Sequence, residues 1–118
     1  MFVTSLKWKF DAESIRGTPH TQGVFGLWDE DRIVYIGATA RSVFLPDALG
    51  ELLGLKRRGI IQATHFTWEI TITPRSWAGE LLRLHFNKHG TLPLYNQPAS
   101  ALQLAQADAA TPTNLRVP

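Results

Sequence analysis

Cysteine is absent from this chain of 118 residues. That absence removes disulfide scaffolds, thiolate zinc sites, iron–sulfur clusters and cysteine nucleophiles together, and it fits a reducing compartment. Long apolar runs are missing too. No stretch approaches the roughly 18 residues that a membrane-spanning helix needs. The start, Met1-Phe2-Val3-Thr4-Ser5-Leu6-Lys7, lacks the basic segment, apolar run and small-residue cleavage site of an export signal. A soluble cytoplasmic protein without membrane association is the expectation. Nor does one sign of charge dominate. Twelve Lys/Arg face ten Asp/Glu, a net +2, with a pI near 9.3, unlike the strongly basic composition of an architectural nucleic-acid binder.

What is present suffices for one core. With 44% hydrophobic residues in 13.2 kDa, the chain can form one domain and a tail, and it is too short for two domains of ordinary size. The small charge excess is local. Residues 41–88 carry seven basic side chains (Arg41, Lys56, Arg57, Arg58, Arg75, Arg83, Lys88) and four acidic ones (Asp47, Glu51, Glu69, Glu80), net +3, against −1 for residues 1–40 and zero for the rest. An anionic partner should therefore meet the middle of the chain.

Residues 1–22 are mixed in character and end in Gly17-Thr18-Pro19-His20-Thr21-Gln22, a cluster of structure breakers. They read as an N-terminal lead-in with one helical turn. Gly23-Val24-Phe25-Gly26-Leu27-Trp28 and Ile33-Val34-Tyr35-Ile36-Gly37, separated by Asp29-Glu30-Asp31-Arg32, predict a β-hairpin from their β-branched and aromatic content. Apolar positions 45, 48, 49, 52 and 53 recur at helical spacing. Ser42 is a candidate cap, Pro46 is tolerated in the first turn, and Gly59 is the stop. From 64 to 73 the chain alternates, placing Phe66, Trp68, Ile70 and Ile72 on one face and His65, Thr67, Glu69 and Thr71 on the other, the pattern of a strand. After Pro74, with Ser76 as a candidate cap, Trp77, Ala78, Leu81, Leu82, Leu84 and Phe86 mark an amphipathic helix that Gly90 terminates. Residues 99–109 are Ala- and Gln-rich and suit a short helix through Leu102 and Leu104. The last eight residues have no periodicity. The expected class is α+β, with a three-stranded, mainly antiparallel sheet flanked by helices. The domain proper runs from 23 to 98, followed by a helix and tail over 99–118.

The tripeptides Gly23-Val24-Phe25 and Tyr35-Ile36-Gly37, with a spacing of ten from Val24 to Val34, resemble the two signature tripeptides of the GIY-YIG nuclease superfamily. The resemblance covers residues 19–96. It extends to Pro19 ahead of the first tripeptide, to the helix–strand–helix order with Glu80 in the second helix, and to Pro93-Leu94-Tyr95-Asn96 after it. It implies a small GIY-YIG-like domain and metal-assisted phosphodiester hydrolysis of nucleic acid, DNA in the first place. Glu80 would then ligate Mg²⁺ or Mn²⁺, Tyr35 would help activate the attacking water, and an arginine would clamp the scissile phosphate. Asn96 would orient the site, and Gly37 would let a nucleic-acid backbone or the first helix come close.

Two departures bear on activity. Phe25 stands where the family has the first tyrosine, and Leu45, eight residues after Gly37, stands where the family has its arginine; Leu49 replaces a polar residue one turn later. A missing acid/base group costs about 10²–10⁴ in rate and a missing electrostatic clamp about 10²–10³. Tyr35 and Arg41 are the nearest stand-ins. Arg57 and Arg58, about 18–20 Å past Leu45 along the helix, lie too far for the scissile phosphate and suit more distant ones, and Lys56 beside them is a further candidate for phosphate contact. Each residue also has a plainer role open to it: Glu80 as a solvated helix carboxylate, Tyr35 as a sheet residue, Asn96 as a turn cap, and the basic triplet as a complement to the helix dipole. Trp28, Trp68 and Trp77 suit either base stacking or the core. His85 and His89 have the spacing of a zinc pair but no evident third ligand. The sequence leaves three functions open: a divergent metal-dependent endonuclease, a catalytically degenerate nucleic-acid-binding module, and a protein-interaction domain.

Overall fold

The structure, a computed structural model, describes residues 6–107. Its frame is the predicted hairpin. Strand β2 (Gly23–Asp29) pairs antiparallel with β3 (Arg32–Ala38), Phe25 opposite Gly37 and Leu27 opposite Tyr35. A bulge follows: Trp28 pairs with Ile33, so Val34 is the extra residue. Glu30 in the turn takes φ 56°, and its N–H is held by the Thr64 hydroxyl at 2.8 Å.

Strand β4 (His65–Ile70) pairs antiparallel with the other side of β2, Trp68 opposite Phe25 and Phe66 opposite Leu27. The sheet is not three-stranded. A fourth strand, β1 (Trp8–Lys9), pairs antiparallel with β4, giving the order β1-β4-β2-β3. Two residues are too few to display alternation, so this strand leaves no mark in the sequence. The segment after it is equally integral. Asp11 caps a short helix, α1 (Ala12–Arg16), by accepting from the Ser14 N–H at 2.9 Å, and Phe10 and Ile15 enter the main core.

Helix α2 (Leu45–Arg57) buries the predicted stripe through Leu45, Leu49, Leu52 and Leu53. Ser42 does not cap it: that residue sits at φ 65°. The helix begins after Phe44, whose N–H is accepted by Asp47 Oδ2 at 3.3 Å, and Gly59 follows its end at φ 79°. Helix α3 (Pro74–His89) starts at the proline itself and stops at Gly90 in the left-handed region. It buries Ala78 and Leu81 but leaves Leu84 and Phe86 exposed. Beyond it come a 3-10 turn (Leu94–Asn96) and helical residues 101–107, of which Leu102 is fully buried.

The sheet is covered on both sides. Alternation sends Phe25 and Leu27 to the face shared with α1 and α2, where Leu49, Leu52, Phe66, Tyr95 and Leu102 complete the larger cluster. It sends Val24 and Ile36 to the opposite face, under Ala78 and Leu81 of α3. Because α3 covers the second face, Thr67 is fully buried there and its hydroxyl accepts from Trp28 Nε1 at 3.2 Å. The strand predicted to reach Thr73 ends at Ile70, and Ile72 lies 92% exposed beyond the sheet.

Candidate functional site

The two tripeptides meet across the hairpin. Gly23 and Thr39 close its open end: the Gly23 N–H donates to Thr39 Oγ1 at 3.1 Å, and the Thr39 N–H donates to the Gly23 carbonyl at 3.0 Å. A Cβ on Gly23 would stand 2.5 Å from the Glu69 carbonyl oxygen and 3.1 Å from Leu45 Cδ1, so glycine lets β4 and α2 close in. Gly37 answers a different demand. A Cβ there would lie 2.7 Å from ring atoms of both Phe25 and Tyr35, whose rings pack 6.2 Å apart over it. The close approach that Gly37 permits is that of these two rings.

Tyr35 lies on the α2 side of the sheet and lines a cavity of about 710 Å³ together with Phe25, Glu51, Leu52, Leu55 and Arg58. Burial raises its pKa above the ordinary phenol value, which disfavours the phenolate and leaves Tyr35 less often in the form that can accept a proton from water. Of the charged residues that share this cavity with it, Arg58 was a candidate for phosphate contact and Glu51 was not singled out. Their signal is helical: 48, 51, 52, 55 and 58 form one stripe of α2, and all five line the cavity. Arg41 is exposed in the β3–α2 loop. Leu45 and Leu49, at the positions where the family resemblance wants an arginine and a polar residue, are both fully buried.

Glu80 is elsewhere. It belongs to α3, which covers the face of the sheet opposite to Tyr35. Its carboxylate is held in the fork of Arg83: Arg83 Nε donates to Oε1 at 3.2 Å and Nη2 donates to Oε2. The guanidinium's hydrogen bond keeps the Glu80 pKa below the usual carboxylate range. The donor set does not fit a Mg²⁺ or Mn²⁺ cradle. Both Glu80 oxygens are engaged by a cation, and among the described residues no three His, Cys, Asp or Glu side chains gather to hold an ion.

Asn96 is brought to the tripeptide but faces its backbone. Its Oδ1 accepts from the Ile36 N–H at 2.8 Å and its Nδ2 donates to the Ile36 carbonyl at 2.9 Å. Since β3 is the last strand of the sheet, this amide takes the place that a neighbouring strand would have. Tyr95 fixes the same turn from the other side, its hydroxyl accepting from the Gln62 N–H at 2.9 Å.

The basic triplet divides. Lys56 Nζ lies 5.5 Å from the centre of the Phe10 ring, while Arg57 and Arg58 are exposed, and the ion pairs among the described residues do not include either. Trp28, Trp68 and Trp77 are partly buried, and two of them use their indole N–H internally, Trp28 on Thr67 and Trp77 on Glu69 Oε1. His85 and His89 stack 4.4 Å apart, and His85 Nδ1 donates to the Thr91 carbonyl at 2.9 Å. No helix among the described residues is long and apolar enough to cross a membrane. No family model matches the chain, and no curated protein and no solved structure matches it.

Proposed function

We propose that the chain is a catalytically degenerate module on a GIY-YIG-like frame, cytoplasmic, that binds nucleic acid, DNA in the first place, through the cationic end of α2. The carrying observation is the separation of the groups that hydrolysis would need. Tyr35 of β3 packs on the α2 side of the sheet, whereas Glu80 lies on α3, which covers the other side, and the Glu80 carboxylate is neutralised by Arg83. An arginine in place of Leu45 would have to sit in the core. What the frame does offer an anion is Arg57 and Arg58, exposed at the end of α2, with Arg41 exposed ahead of the same helix. Guanidinium groups of this kind meet phosphates as charge-assisted, forked donors. They hold a nucleic-acid backbone without reading its sequence.

The test is fluorescence anisotropy with labelled duplex and single-stranded DNA and RNA across a salt series, alongside incubation of supercoiled DNA with Mg²⁺, Mn²⁺ or EDTA. Three phosphate contacts predict a slope of log K on log salt of roughly −2 to −3 for duplex DNA. Arg57→Ala and Arg58→Ala should each reduce its magnitude by about 1. Metal-dependent cleavage that disappears in Glu80→Ala would overturn the degenerate reading and restore the endonuclease. Absence of salt-dependent binding would overturn the nucleic-acid reading.

A further inference from the structure

On the α3 side of the sheet, away from the Tyr35 cavity, lies a cleft of about 830 Å³ between β3, α3 and residues 91–97. Its size is within the range of small-molecule sites. The walls are branched aliphatic side chains, Ile33, Ile36, Leu81, Leu84, Leu92 and Leu94, with Trp28 at one end. Leu84 and Leu94 are 40% and 42% exposed, so this apolar surface is open to solvent. Trp28 offers only its ring, because its N–H is spent on Thr67.

Cations outnumber carboxylates in the lining of the cleft. Arg32 and Lys88 line the cleft, and the ion pairs among the described residues include neither. Asp31, the single carboxylate lining it, is matched by Lys7 at 3.6 Å. Lys7 Nζ also donates to the Glu30 carbonyl at 3.1 Å and lies 4.5 Å from the Trp28 ring centre, which holds it at the hairpin turn. The remaining polar lining is His85, His89, Thr91 and Gln97, with His85 kept in place by the Thr91 carbonyl.

We propose that this cleft binds an amphipathic organic anion, an aliphatic chain bearing a single carboxylate. The chain lies against the leucine and isoleucine wall, and the head group meets Arg32 and Lys88. Aliphatic walls favour an aliphatic body by burial, and two cations outside the ion pairs of the described residues favour an anionic head. The site is distinct from the α2 end, so its success or failure is independent of nucleic-acid binding.

The probe is dodecanoate below its micelle concentration, titrated into the full chain by calorimetry and by tryptophan fluorescence, with dodecanol and dodecylamine as the neutral and cationic counterparts. Dodecanoate should bind about tenfold or more tighter than either counterpart. Lys88→Glu and Arg32→Glu should each weaken dodecanoate by about tenfold and leave dodecanol within about threefold. Leu84→Trp, which fills the cleft from a half-exposed position, should weaken both, and Trp28→Phe should remove the fluorescence response. Equal binding of the three amphiphiles, no binding at all, or unchanged dodecanoate affinity in Lys88→Glu and Arg32→Glu would overturn the proposal. So would sedimentation of a dimer that Leu84→Trp dissociates, which gives the cleft to a second copy of the chain.

Discussion

Replacing Asn96 tests how the edge of the sheet is closed. Its amide satisfies both outward backbone groups of Ile36, at 2.8 and 2.9 Å, and only one orientation of the amide does so, with oxygen towards the N–H and nitrogen towards the carbonyl. Asn96→Ala removes both bonds from half-buried groups. At about 0.5–1.5 kcal/mol per bond the loss is about 1–3 kcal/mol. In a domain of this size each kcal/mol lowers Tm by about 4 °C, so Tm should fall by about 4–12 °C. Asn96→Asp separates the two halves of the clamp. Its carboxylate can still accept from the N–H but turns an oxygen against the Ile36 carbonyl, so near pH 7 this variant should also be less stable than the parent. Below about pH 4 the new carboxyl is protonated and can donate again, and its deficit relative to the parent at the same pH should shrink. The assay is thermal unfolding of the three proteins at both pH values, with amide exchange at Ile36 as the local reading. An Asn96→Ala protein that melts within about 2 °C of the parent with unchanged exchange at Ile36 would refute the clamp. An Asn96→Asp deficit indifferent to pH would refute the assigned amide orientation.

Other perturbations have equally definite outcomes. Gly37→Ala forces a methyl to within 2.7 Å of the Phe25 and Tyr35 rings and should cost about 1–3 kcal/mol by overpacking, whereas Gly50→Ala, with nothing near its Cβ, should be neutral or slightly stabilising; urea unfolding separates them. Leu49→Ala, at a fully buried position, should lose about 2–5 kcal/mol in the same assay. Leu45→Arg, which restores the residue type of the family resemblance, should unfold the domain rather than confer cleavage, because it buries an unpaired charge; a folded, cleaving variant by circular dichroism and plasmid nicking would contradict this. Burial lowers the His85 pKa below its ordinary value of 6.5. The unfolded chain then binds a proton that the folded one does not, so this contribution lowers stability as pH falls through the ordinary imidazole range. His85→Asn should flatten that part of the pH–stability curve, measured as Tm from pH 8 to 5.

Elements with a long period were legible, and those made by a few residues were not. The hairpin, the α2 stripe and the Gly59 and Gly90 stops follow from alternation, 3.6-residue spacing and positive φ, each a local property. The fourth strand was hidden because Trp8 and Lys9 are ordered by β4 and not by their own pattern. The burial of Thr67 was not legible, because alternation reports two faces without saying whether a helix covers the second. Gly37 and Asn96 were legible as special positions but not in their roles. A glycine required by two rings and a glycine required by a ligand look the same in one sequence, as do an amide that orients a reacting group and one that orients a strand.

The same alternation limits what chemistry this frame can carry. Neighbouring residues of a strand face opposite sides, so in Tyr35-Ile36-Gly37 the tyrosine belongs to the α2 side and Ile36 to the α3 side. A site that needs Tyr35 together with a carboxylate from α3 must pass around an end or an edge of the sheet. The edge at Ile36 is occupied by Asn96. At the end next to Gly23, Leu45 is packed within 3.1 Å of where a Cβ would be. Reopening such a site would take a coordinated change, with Leu45 out of the core and Glu80 freed from Arg83, and either change alone yields an unstable protein or an unchanged one. Arg83→Ala therefore makes a clean single-site test. It frees the Glu80 carboxylate at an exposed position, at little cost in Tm, and if the separation of Tyr35 and Glu80 is what prevents hydrolysis, metal-dependent nicking of supercoiled DNA should remain absent. Nicking that appears in Arg83→Ala and vanishes in the Glu80→Ala, Arg83→Ala double variant would show instead that the ion pair alone had masked an intact site.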